Sequence, residues 1–393
     1  MWESKLTTFI TPRQAYIYAS HVYIGFYIYN IDSPVLSTLN PNLLNSIRVL
    51  RISLSLIIRL AVFQKNLGFF LISSTLRIMA SDMDFVKYEE EYILNPRGMK
   101  LFTCRWLPKN TKPKALIFIC HGYAMECSIT MNSTAMRLAK AGFAIYGIDY
   151  EGHGKSAGLQ GYVKSFDDVV DDCTNHFTNI CESKENKGKM RYLMGESMGG
   201  AVALLVHRKK PEFWDGAVLV APMCKIADDI KPSPLVISAL TKLCKFIPTW
   251  KIIPTNDIID VAFKMPEIRK QVRENPYCYK GRPRLQTGYE LLRVSSDLEQ
   301  RLDEVTLPFI ILHGEDDKVT DKSVSKQLHD VASSHDKTLK MYPDMWHGLL
   351  YGETPENIEV VFADIISWLD ERSCFGNARL EGELKSENDG VKR

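Results

Sequence analysis

The chain has 393 residues, 45% of them hydrophobic, enough for a substantial core in one large domain or two smaller ones. Lys and Arg number 49 against 47 Asp and Glu, a formal charge of +2, so the totals give no electrostatic basis for a nucleic-acid partner. Nine cysteines, an odd number without a C-x-x-C pair, argue against a disulfide framework and for buried, inert thiols in a reducing, cytoplasmic compartment.

Residues 1–82 differ in composition from the rest of the chain and read as an N-terminal extension. Gln14–Ile31 is uncharged and rich in Tyr and Ile, long enough for a marginal membrane span but interrupted by His21. Residues 33–81 carry Arg48, Arg51, Arg59, Lys65 and Arg77 with no acidic residue, a composition shared with organelle transit peptides. Three readings stay open here: an anchor, a transit peptide, or an extension to a working protein that starts near Met79 or Met83.

From Tyr88 onward, short apolar runs alternate with segments of helical spacing. The runs Leu101–Trp106, Ala115–Cys120, Phe143–Ile148, Met190–Met194, Ala217–Val220, Phe309–Leu312 and Thr338–Met341 are expected to be strands. That rhythm predicts an α/β fold, a mostly parallel, doubly wound sheet with helices on both faces. Residues 224–303 break the rhythm and place Val236, Leu240, Leu243, Cys244 and Ile247 at helical spacing, so they read as an inserted helical cap between core segments 83–223 and 304–373. The polar stretch 374–393 is expected to be a disordered tail.

Chemistry concentrates at Gly195-Glu196-Ser197-Met198-Gly199, which follows an apolar strand run and leads into good helix formers. A serine between strand and helix at such a turn adopts strained backbone, and small neighbours at Gly195 and Gly199 let the two elements approach while the hydroxyl is presented. A serine hydroxyl needs an imidazole to take its proton and a carboxylate to orient that imidazole. In this strand–turn–helix architecture both follow the serine, each on a loop after a strand. His347, after Thr338–Met341, is the base candidate, and Asp316 and Asp317, after Phe309–Leu312, are both acid candidates that the residues alone do not separate. Backbone N–H groups of Met198 and of Tyr123, in the loop Cys120-His121-Gly122-Tyr123, are the expected oxyanion donors. His121 and His313 each precede a glycine at a strand end and read as loop-shaping residues. This acyl-serine chemistry calls for no cofactor and no metal.

With these residues placed, the chain resembles the monoglyceride lipase family and its plant branch of monoacylglycerol lipases and caffeoylshikimate esterase. The likeness covers about residues 83–373 and rests on His121-Gly122-Tyr123, Gly152-His153-Gly154-Lys155-Ser156, the elbow around Ser197, His313-Gly314-Glu315-Asp316-Asp317 and His347. It implies an α/β-hydrolase fold, a triad of Ser197, Asp317 and His347, and a small lipid or ester substrate. The family's H-G-x-x-D pattern is what selects Asp317 over Asp316. Departures bear on the substrate: the Gly-Glu-His tripeptide of animal members is absent, since Ala124-Met125-Glu126-Cys127 follows Tyr123. The H-x-x-x-x-D pattern of plant acyltransferase members is absent too, with Glu126 at that distance from His121. Monoacylglycerol is the expected substrate, with lysophospholipids and hydroxycinnamate esters as alternatives. Peripheral membrane contact through the cap is a further expectation. A receptor that reuses this fold is the non-enzymatic alternative, weighed down here by a triad with every position filled.

Overall fold

The computed structural model describes residues 85–224, 234–253 and 257–390. The N-terminal span and transit-peptide readings lie outside the described residues. Among the described residues, no helix is long and apolar enough to cross a membrane.

Eight strands form one sheet in the order β1-β2-β4-β3-β5-β6-β7-β8. They are β1 (Val86–Leu94), β2 (Lys100–Pro108), β3 (Leu116–Cys120), β4 (Ala144–Ile148), β5 (Arg191–Glu196), β6 (Gly216–Val220), β7 (Phe309–Gly314) and β8 (Lys337–Tyr342). β1 pairs antiparallel with β2 and β2 antiparallel with β4, while every pairing from β4 through β8 is parallel. Each expected strand appears within about two residues of its sequence boundary, the usual precision of such readings. β1 is the addition. As an edge strand with one wet face it carries Glu89, Glu90 and Glu91 and lacks the apolar run that marks a buried strand.

Alternation along β3 shows how the sheet makes two cores. Leu116, Phe118 and Cys120 face a layer containing α2 (Phe166–Glu182) and α3 (Met198–Lys209), whereas Ile117 and Ile119 face α1 (Asn132–Lys140) and α9 (Pro355–Gly390). Phe118 is packed among Tyr146, Phe177 and Trp214, with ring centroids 4.8 to 5.7 Å apart. Such burial on both faces is what a central parallel strand requires.

Between β6 and β7 lie α4 (Pro234–Cys244), α5 (Ile258–Ala262), α6 (Pro266–Glu274) and α7 (Leu285–Glu299), with α4 packed on α7. α8 (Lys322–Val331) joins β7 to β8. The last helix departs from the sequence reading: α9 continues through the expected disordered tail as far as Gly390. Extending an existing helix needs no new nucleus, and Ala378, Arg379, Leu380, Glu381, Glu383, Leu384 and Lys385 are good helix formers in the tail, though Gly376 and Gly382 interrupt the stretch. Eight of the nine cysteines are buried, all nine are free thiols, and only Cys374 is exposed.

Candidate active site

Ser197 stands between β5 and α3 with φ 56° and ψ −120°, a conformation that costs a non-glycine residue about 1–3 kcal/mol. The surroundings pin it. Its N–H donates to Val220 O at 3.0 Å, and its carbonyl accepts from Gly200 N and Met223 N, both at 2.9 Å. Glycines make this possible by close approach: a Cβ on Gly199 would lie 1.8 Å from Cys120 O, and one on Gly195 would lie 2.3 Å from Gly199 O. Ala124, Ala221 and Asp344 also have positive φ, at 65°, 44° and 58°, so the four such non-glycine residues among the described residues sit in loops around one end of the sheet. Strain gathered there, at the carboxyl ends of the parallel strands, marks where a ligand is handled.

Ser197, Met198, Tyr123 and His347 line one cavity of about 870 Å³. Met198 opens α3, where first-turn N–H groups have no intrahelical acceptor, and Gly122 abuts the nucleophile loop, its Cβ position 3.6 Å from Ser197 Cβ. The loops after β7 and β8 are stitched together: Glu315 N–H donates to Tyr342 O at 2.8 Å and Asp316 N–H to Met345 O at 3.0 Å. That contact brings Asp317 Oδ2 to 2.7 Å from His347 Nδ1. The Asp317 side chain is completely buried, whereas Asp316 is exposed. Asp317 also receives His313 Nε2 at 3.1 Å, the Thr320 hydroxyl at 2.8 Å, and the N–H groups of Val319 and Thr320 at 2.7 and 3.1 Å.

Electrostatics follows from this geometry. Burial pushes the Asp317 carboxyl up, but the charge of His347 and the hydrogen bonds from His313 and His347 hold it well below the usual carboxylate range. For His347 burial favours the neutral ring, and the Asp317 carboxylate outweighs it, so its pKa is raised. An imidazole so oriented, in one cavity with a strained serine and with a residue that opens a helix, is an arrangement of the kind that nucleophilic acyl transfer requires.

Sequence reasoning missed His313, Thr320, Glu196 and Tyr351. His313 does more than shape its loop: its other nitrogen meets Ser325 Oγ at 2.7 Å, which leaves Nε2 for Asp317. The i,i+4 spacing of His313 and Asp317 across a turn was the available signal. His121 is structural, with Nδ1 2.9 Å from Gly122 O and Nε2 accepting Tyr150 N–H at 3.3 Å. The carboxylate of Glu126, at the position of the acyltransferase Asp, is occupied by donors from Thr130, Ile129, Ser128 and Asn275. His121, Cys127 and Asp149 bring ligand-type atoms within 4.8 Å, but the two Asp149 oxygens already accept Cys127 N–H and Lys155 N–H.

The fold and this site define a serine hydrolase of the α/β-hydrolase class. Residues 111–355 match the family described as serine aminopeptidase S33, and the chain belongs to that family of hydrolases. Among curated relatives, caffeoylshikimate esterase of Arabidopsis thaliana is 36% identical over 288 residues, 73% of this chain and 86% of the relative. Human monoglyceride lipase is 31% identical over 283 residues, 72% of this chain and 91% of the relative. A soluble variant of Saccharomyces cerevisiae monoglyceride lipase, solved with a substrate analogue, superposes with a TM-score of 0.64 at 21% identity, covering 72% of this chain and 94% of that one. Despite the family's peptidase description, these relatives are esterases and lipases, and the chain belongs with them among the carboxylic ester hydrolases.

Proposed function

We propose that the chain is a monoacylglycerol lipase working through an acyl-Ser197 intermediate. His347 takes the hydroxyl proton as Ser197 Oγ attacks the ester carbonyl, and Asp317 stabilises the imidazolium that forms. Met198 and Tyr123 N–H groups hold the oxyanion. Collapse breaks the ester bond, and the alcohol leaves with the proton from His347. Water then gives its proton to the same imidazole as it attacks the acyl-enzyme, and collapse breaks the Ser197 Oγ–acyl bond as His347 returns the proton to Oγ, releasing the fatty acid and free Ser197.

The observation that carries the substrate is the cavity wall contributed by described residues between Leu240 and Leu292, which we read as belonging to the cap. Leu240, Ile252, Ile253, Ile259, Leu291 and Leu292 make a flexible aliphatic lining above Ser197. An acyl chain that leaves water there gains about 0.8 kcal/mol per methylene. Tyr279, Tyr289 and Phe263 line the same cavity and favour the second reading, a planar hydroxycinnamate ester. Comparison of kcat/KM for monoacylglycerol, lysophosphatidylcholine and caffeoylshikimate decides between them. A preference for either of the last two rejects the lipase assignment.

Only part of the expected apolar stripe of α4 serves the cavity. Leu240 lines it, whereas Leu243 is 41% exposed and points elsewhere. Leu240→Asp is therefore expected to lower turnover of a long-chain monoacylglycerol by about tenfold or more, because a carboxylate is poorly tolerated against an acyl chain. Turnover of a short-chain ester should stay near normal. A parallel fall for both substrates would mean general destabilisation.

Leu243 belongs to a second surface, with Phe246 83% and Trp250 58% exposed and Lys242, Lys245 and Lys251 alongside. Ile252 and Ile258 extend this patch to the cavity, since both are exposed and both line it. Aromatic and aliphatic tips among lysines suit the interface of an anionic bilayer. The double variant Phe246→Ser, Trp250→Ser should weaken sedimentation with anionic vesicles by at least about tenfold while hydrolysis of a soluble ester is unchanged. Undiminished vesicle binding would remove this surface from the membrane.

A further inference from the structure

Glu196 separates Gly195 from the nucleophile and ends β5. It is 3% exposed, yet it lines the same cavity as Ser197 and His347. A carboxyl in such a place needs a donor, and the Tyr351 hydroxyl gives one to Oε2 at 3.2 Å. Tyr351 follows His347 by four residues, so the loop that carries the imidazole into the cavity also carries the hydroxyl that holds Glu196. Two carboxyls thus bear on one imidazole, Asp317 by direct contact with Nδ1 and Glu196 through space from the nucleophile's own strand.

We propose that Glu196, held by Tyr351, is a positioning residue for catalysis: its carboxylate stabilises the imidazolium of His347 during both acyl-transfer steps. This rests on the reading of His347 as the base. Burial pushes the Glu196 carboxyl up to about 7, against the pull of His347 and the Tyr351 hydroxyl, and Glu196 in turn raises His347. The other groups are accounted for. His347 meets Asp317 of the β7 loop, with His313 behind it; burial, and then the nearby Glu196, Cys278 and Glu126, hold the Tyr351 phenol protonated; and Asp257, Lys280, Arg282 and Asp321 are, among the described residues, the other charged ones on the cavity wall. Because Glu196 raises His347 and His347 lowers Glu196, the two titrate as a pair, and the acid limb of the rate profile belongs to both.

The experiment is the pH profile of kcat/KM for a soluble short-chain ester, on the full chain and on folded variants checked by thermal melts. The base must be neutral, and a nearby negative charge keeps it protonated to higher pH. Glu196→Gln should therefore move the acid limb down by roughly half a pH unit or more. The plateau should fall about tenfold as the imidazolium loses its second partner. Glu196→Asp, which retains a charge, should return the limb toward the parent. If Glu196→Gln does not fold, Tyr351→Phe replaces it: loss of the donor keeps Glu196 protonated to higher pH and shifts the limb in the same direction by less. An unmoved limb in the folded variant overturns the role of Glu196. Full hydrolysis by His347→Ala would instead overturn the base on which it rests.

Discussion

Asp317→Asn is expected to lower kcat by about 10⁴-fold, while Asp316→Asn changes it by no more than about threefold. The asymmetry comes from what each side chain meets. Asp317 Oδ2 accepts from His347 Nδ1, His313 Nε2 and the Thr320 hydroxyl, and Oδ1 accepts from two backbone N–H groups. Every one of these partners is a donor. An amide puts an NH₂ against at least one of them, and the loop, fixed by Val319 and Thr320, favours keeping the amide oxygen on the backbone side. The NH₂ then faces His347, whose Nδ1 must become an acceptor, leaving the proton on the nitrogen that should receive the serine's. Asp316 contributes its backbone N–H to Met345 and keeps an exposed side chain, so its amide variant disturbs neither loop nor imidazole. Steady-state kinetics on both variants checks the ranking, and equal losses would reject Asp317 as the orienter.

This pair also shows where sequence ceases to inform. Apolar runs marked the central strands β3 to β7 because burial on both faces demands them, and the elbow was legible because strand, glycines, serine and helix are contiguous. The choice between Asp316 and Asp317 depends on a loop conformation fixed by Val319, Thr320 and Met345, which adjacent carboxylates in a sequence do not reveal. Resemblance, and not the residues, selected Asp317. His313 and Thr320 meet Asp317 within one loop, where the i,i+4 and i,i+3 spacings were the only local hint, whereas Tyr351 reaches Glu196 across 155 residues and no local pattern announces it. Periodicity likewise found α4 but not which part of its stripe is covered: Leu240 and Leu243 are equivalent in spacing, yet Leu240 lines the cavity and Leu243 is exposed. The wet edge strand β1 fails the apolar-run criterion for the same reason that it is an edge.

Ser197→Ala is expected to reduce hydrolysis by about 10⁶-fold and to abolish labelling by a fluorophosphonate, since without the hydroxyl no acyl-enzyme forms. The backbone at this position gives the prediction a second, independent part. With φ 56° and ψ −120°, any side chain at 197 is strained, and alanine retains that strain because it retains Cβ. Glycine removes it. Ser197→Gly should be as inactive as Ser197→Ala yet more stable by about 1 kcal/mol, the relief of strain being partly offset by glycine's greater freedom in the unfolded chain. Urea denaturation of the two variants measures the difference directly. Equal stability would mean that the elbow holds little strain, and residual labelling in either variant would place the nucleophile elsewhere. The reason to expect strain at this residue is positional. Hydrogen bonds from Ser197 to Val220 and from Gly200 and Met223 back to it fix the turn on both sides, and the crowding of Gly199 on Cys120 leaves the strand and helix no room to relax. The fold therefore holds the serine where an ester carbonyl in the cavity can reach it, at the expense of a conformation that glycine alone adopts freely.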